Sequence, residues 1–117
     1  MSDNDFNEKR AKNSVKMYGF QFDKLPHDEI RQLLRDEIEN YTPGSSEYLR
    51  VLCGYLFCIG DPADAALISK AKYEINFDVG CMIDLDWIDG LNSTKNVGKR
   101  DALVNNFVAY YRRYFNL

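Results

Sequence analysis

The stretch from Ser46 to Ile59, SEYLRVLCGYLFCI, constrains the fold more than any other. Leu49, Leu52, Leu56 and Ile59 recur at steps of three and four, the spacing of one helical face. Tyr48, Cys53, Tyr55, Phe57 and Cys58 fill much of the remaining circumference. A helix that is apolar nearly all round has to lie in the middle of other elements. Thr42-Pro43-Gly44 stops the preceding run, Ser45 or Ser46 supplies a cap, and Gly60 ends the segment.

The rest of the chain reads as the cover for that helix. A run over about 26–41 opens at Pro26, carries Asp28 and Glu29 in its first turn, and places Ile30, Leu33, Leu34, Ile38 and Tyr41 on one stripe. Asp61 as N-cap and Pro62 at the first helical position open a third helix, about 62–73, which buries Ala65, Leu67, Ile68 and Ala71. After a break at Asn76-Phe77-Asp78, a fourth run over about 79–91 holds the only Trp, Trp87. A loop from Asn92 to Lys99, with Ser93, Asn96 and Gly98, leads to a last helix over about 99–115. That helix carries Leu103, Phe107, Tyr110, Tyr111 and Tyr114 on one side, with Arg112 and Arg113 near its C-terminus.

Residues 1–24 show no convincing stripe. Met17, Tyr18, Phe20 and Phe22 form an apolar knot that docks a frayed or partly helical arm, and the alternation of Tyr18, Phe20 and Phe22 also fits a short edge strand. A chain of 117 residues, 45% apolar, can build one core without disulfides or metal. The expectation is therefore a single all-α domain over 1–117, with about five antiparallel helices in a HEAT-like array or bundle.

Composition narrows the function classes. No run of about 18 apolar residues offers a membrane span, and the charged N-terminus has no apolar core of a secretory signal. Cys53, Cys58 and Cys81 are odd in number and lack metal-ligand spacing, which fits reduced thiols in the cytoplasm. Residues 27–96 carry a net charge of −7, whereas residues 97–117 carry +3. An acidic middle argues against nucleic-acid binding, which needs clustered Lys and Arg. No glycine-rich phosphate loop is present, and the only histidine, His27, reads as a solvated residue at a helix start. No cofactor is implied.

The sharpest charge feature lies between Lys72 and Lys95, where Glu74, Asp78, Asp84, Asp86 and Asp89 occur with no basic residue. On a continuous helix over 79–91, Asp84 falls inside the stripe of Ile83, Trp87, Ile88 and Leu91, while Asp86 and Asp89 point away. A carboxylate there needs hydrogen bonds, so Asp84 is expected to be partly buried. It then serves as a structural polar group, capping a helix or accepting bonds from a tyrosine or from the Ser93-Thr94 region. Asp84 and Asp86 diverge too far on a helix to chelate one ion, and Trp87 and Ile88 stand where a calcium loop is polar. The aromatic residues Phe77 and Trp87 among Asp78, Asp86 and Asp89 have the composition of an electrostatically steered protein interface.

Gly60-Asp61, then Ala65, Ile68 and Ala71-Lys72, then Asn76-Phe77-Asp78 and Gly80-Cys81-x-Ile83-Asp84, give about a quarter of the chain a further meaning. This pattern resembles small bacterial helical proteins with HEAT-like packing that confer immunity to polymorphic or contact-dependent toxins. The resemblance implies a cytoplasmic, non-enzymatic protein that occludes the active site of its cognate toxin, a basic protein acting on nucleic acid. Two other readings stand beside it: a helical adaptor or regulator of another basic protein, and an enzyme using the Asp84 region. Oligomeric state is not legible.

Overall fold

The computed structural model describes residues 3–41, 43–92 and 97–117, and within them every regular element is helical. Seven α-helices run α1 Asp3–Tyr18, α2 His27–Glu39, α3 Ser46–Ile59, α4 Ala65–Glu74, α5 Phe77–Met82, α6 Leu85–Asn92 and α7 Val97–Tyr114. Two short 3-10 turns, Phe22–Lys24 and Pro62–Asp64, precede α2 and α4. Thr42, part of the expected stop before α3, and Ser93 to Asn96, most of the expected loop before α7, lie outside the described residues.

α3 is the central element, with the bounds expected of it. From Tyr48 to Cys58 every residue except Arg50 is buried. Its neighbours include α1, α2, α4, α5, α6 and α7, so the all-round apolar surface is used on all sides. Gly60, in the left-handed region at φ 92°, closes the helix and donates its amide to the Leu56 carbonyl.

Gly54 has a different task. A Cβ built on it would lie 2.1 Å from the nearest ring atom of Phe107, which docks α7 on α3. Phe107 is the hub of an aromatic cluster, with Phe22, Tyr55, Trp87 and Tyr111 at centroid distances of 6.3, 5.5, 6.1 and 5.0 Å. Gly54→Ala should therefore overpack the joint and cost about 1–3 kcal/mol. A calorimetric melt tests this; an unchanged Tm would mean that Phe107 shifts freely.

The N-terminal segment forms more helix than its sequence advertises. Among the described side chains of α1, Asn7, Ala11, Ser14 and Val15 are buried, a helical stripe that packs on α3 but is half polar. Its polar members are satisfied: Asn7 donates to the Pro43 carbonyl and Ser14 to the Arg10 carbonyl. Arg10 forks onto Glu37 of α2 at 2.9 and 2.8 Å, which explains a buried glutamate on that helix. The aromatic knot docks through Tyr18 and Phe22 on Tyr55, whose hydroxyl donates to the Gly19 carbonyl. Met17 is 68% exposed and stands outside the knot, and the described residues there form no strand.

The largest departure from the expected helices concerns the run over 79–91. It is two helices, α5 and α6, broken at Ile83, whose backbone is extended at φ −99° and ψ 122°. The break buries Ile83 and turns Asp84 to solvent. Asp84 then accepts the Asp86 amide through its side chain and the Trp87 amide through its carbonyl, so it starts α6 rather than sitting in its apolar face. A continuous helix would have buried a carboxylate among Ile83, Ile88 and Leu91, and the break exchanges that cost for a helix cap. Asp84→Ala should cost about 1 kcal/mol as a lost cap, and Asp84→Asn should recover most of it; a larger loss for Asn than for Ala would contradict the capping role.

Candidate functional site

α5 is only six residues long, and three devices fix it on the end of α4. Asn76 caps it, its side-chain oxygen accepting the Val79 amide at 2.9 Å. The Lys72 ammonium donates to the Gly80 and Ile83 carbonyls, both at 2.6 Å, and so satisfies the C-terminal end of a helix too short to satisfy itself. Gly80 permits the contact, because a Cβ there would stand 2.8 Å from the Lys72 carbonyl oxygen.

Val79 takes the buried side of α5, and the opposite side faces out. Phe77 is 83% exposed and Tyr73, one turn earlier on α4, is 63% exposed. Together with Lys72, Asn76, Gly80 and the exposed Cys81 they line an open groove of about 440 Å³. Glu74 and Asp78, next to Tyr73 and Phe77 in the chain, are exposed carboxylates. Lone exposed apolar residues are common on protein surfaces and need no explanation, whereas clustered ones mark contact sites.

The residues singled out in the sequence divide into two sets. Phe77 and Asp78 belong to α5 and are exposed. Asp86 and Asp89 belong to α6, where Asp89 is exposed and Asp86 is partly covered, with the Lys99 ammonium 3.4 Å from its carboxylate. Neither Asp86 nor Asp89 lines the Phe77 groove. Trp87 lies beneath this surface: it is 2% exposed, stacked on Phe57 and edge-on to Phe107, and therefore presents nothing to a partner.

His27 is not the solvated residue its position suggests. Its Nε2 lies 2.6 Å from Asp64, a carboxylate almost wholly buried at the start of α4. Arg31, one turn along α2, donates to Asp64, Asp61 and Asp28 at 2.6, 2.6 and 3.0 Å. The ligand atoms of His27, Asp61 and Asp64 lie within 4.8 Å of one another, a spacing that suits a cation. The Arg31 guanidinium supplies that charge. The network ties α2 to α4, and its sequence signal is weak because the partners are 30 or more residues apart.

The Ala63 amide, and after it Arg31, hold the Asp61 carboxyl below the usual carboxylate range. A carboxyl depressed in the fold stabilises it fully above its ordinary value of about 3.9, and that contribution is lost as pH falls through the depressed value. The acid limb of the stability profile should therefore be less steep in Asp61→Asn, which keeps the cap and removes the titration. Superimposable limbs in urea melts across that window would contradict the assignment.

Arg50 was not foreseen either. Its guanidinium lies over the rings of Trp87, Tyr110 and Tyr111 at 5.2, 4.2 and 5.2 Å. Tyr110 donates to Glu47, and burial pushes the Glu47 carboxyl above its ordinary value. Tyr110 and Tyr114 stack at 5.6 Å and, with Asn106, Ala109 and Arg113, line a second open groove of about 480 Å³ on α7.

No family model matches the chain, and no curated protein or solved structure matches it either. Among the described residues no helix is long and apolar enough to cross a membrane.

Proposed function

We propose that this protein is an immunity protein: a stoichiometric, non-enzymatic inhibitor that binds a basic, nucleic-acid-acting toxin in the cytoplasm and covers its active site. The observation that carries the reading is the exposure of Phe77, 83% on a rigidly held turn of helix within the longest base-free, acid-rich interval of the chain. A basic cleft and an acidic face attract each other at long range, and an inhibitor of this kind needs no catalytic group or cofactor of its own. The short links between α2 and α3 and between α4 and α5 support a HEAT-like array of antiparallel neighbours.

The test is co-expression with the protein encoded directly upstream, read by growth and by co-purification at equal stoichiometry. Rescue of growth with a one-to-one complex is expected. Full toxicity in the presence of folded chain would overturn the reading. A second reading, an adaptor with two partners, has one observation in its favour. The Tyr110–Tyr114 groove on α7 belongs to a segment of net charge +3, opposite in sign to the α4–α6 surface.

A further inference from the structure

We propose that the α4–α5 groove seats an apolar side chain presented on a lysine- or arginine-bearing segment of a partner protein. Tyr73 and Phe77 then hold the anchor, while Glu74 and Asp78, next to them in the chain, attract the cations around it. This rests on the partner-binding reading above and not on the partner's being a toxin.

The groove is preformed. The Asn76 cap, the two bonds from Lys72 and the close approach at Gly80 fix α5 before anything binds, so little ordering opposes association. Two of its polar lining groups are engaged inside the fold: the Lys72 ammonium on two carbonyls and the Asn76 oxygen on the Val79 amide. A polar small molecule would need convergent polar groups to orient it. What the groove offers instead is aromatic and thiol surface from Tyr73, Phe77 and Cys81.

Exposed carboxylates adjoin both of the groove's aromatics in the chain: Glu74 follows Tyr73 and Asp78 follows Phe77, and the sequence from Tyr73 to Thr94 holds no lysine or arginine. The ammonium of Lys72, at the border of that interval, is drawn into the backbone. An apolar anchor flanked by cations matches both features, whereas an apolar anchor flanked by carboxylates matches only one.

Cys81 makes occupancy measurable. It is the exposed thiol of the three and lines the groove, while Cys53 and Cys58 are buried, with the Cys58 thiol pushed up to about 12 by burial. N-ethylmaleimide labelling of the native chain, followed by intact mass, therefore reads Cys81 alone. The probes are three synthetic peptides of about 14 residues, long enough for a helical turn pattern: leucine with lysine, leucine with glutamate, and serine with lysine.

The leucine–lysine peptide should slow labelling by the factor 1 + [L]/Kd, about threefold at twice its Kd. Added salt should weaken the effect, and the other two peptides should give little. Phe77→Ser, at a residue that supports no core contact, should abolish the protection while leaving the melting curve unchanged. Equal protection by leucine–glutamate, equal protection by serine–lysine, or no protection by any peptide would each overturn the proposal. None of these results bears on whether co-expression rescues growth, so failure of the groove and failure of the immunity reading are separately visible.

Discussion

Leu52→Ala and Leu56→Ala should each lower the unfolding free energy by about 2–5 kcal/mol, the range for large cavities in closed cores. Both side chains are fully buried on α3, which is surrounded by six other helices. A cavity in that position cannot be filled by collapse of a surface layer, because every neighbour is itself pinned to α3. Domains of this size are stable by only about 5–15 kcal/mol, so either variant should be near the edge of folding at physiological temperature. Urea denaturation with a common slope is the measurement. Losses below about 0.5 kcal/mol at both positions would show that α3 is peripheral.

The second large effect is on binding. Phe77→Ala should weaken the complex with the partner by about 2 kcal/mol or more, roughly thirtyfold or more in Kd, as central aromatic anchors do. Folding should be untouched, since the side chain is 83% exposed. Trp87→Ala should also abolish binding, but for another reason: removal of a buried ring that packs on Phe57 and Phe107 should cost about 3–5 kcal/mol of stability. Comparing the two by calorimetry and by binding separates a contact residue from a core residue. Normal binding by the Phe77→Ala variant would remove Phe77 from the interface.

The helices that were legible in the sequence are those whose burial is purely apolar. α3 has its expected bounds because its stripe is unbroken, whereas Asp61, expected to cap the third helix directly, caps the 3-10 turn Pro62–Asp64 that leads into α4 by accepting the Ala63 amide. α1 was obscured because its buried stripe alternates Ala11 and Val15 with Asn7 and Ser14, whose partners lie in the fold and not in the local pattern. The split at Ile83 was obscured because the periodicity of Ile83, Ile88 and Leu91 survives the break, and only the cost of burying Asp84 argues for it.

The candidate site was legible as a charge pattern and not as a geometry. Phe77 and Asp78 emerge on a shared surface, but Trp87 turns inward and Asp86 leans on Lys99. The cluster of His27, Arg31, Asp61 and Asp64 depends on docking α2 against the start of α4, a long-range event that no local window reports.

The central claim is that the acidic interval from Tyr73 to Thr94 guides a basic partner onto this protein. Its most direct test is the association rate of the partner with the Asp78→Lys, Asp89→Lys double variant at low and high salt. Both carboxylates are exposed, so the double variant should fold. The natural chain should associate faster at low salt, by about tenfold or more over a neutral encounter. The double variant should associate more slowly at low salt and show little dependence on salt, because rim charges act chiefly on the on-rate. Identical rates for the two proteins at both salt concentrations would contradict the claim and move the interface to the Tyr110–Tyr114 face of α7.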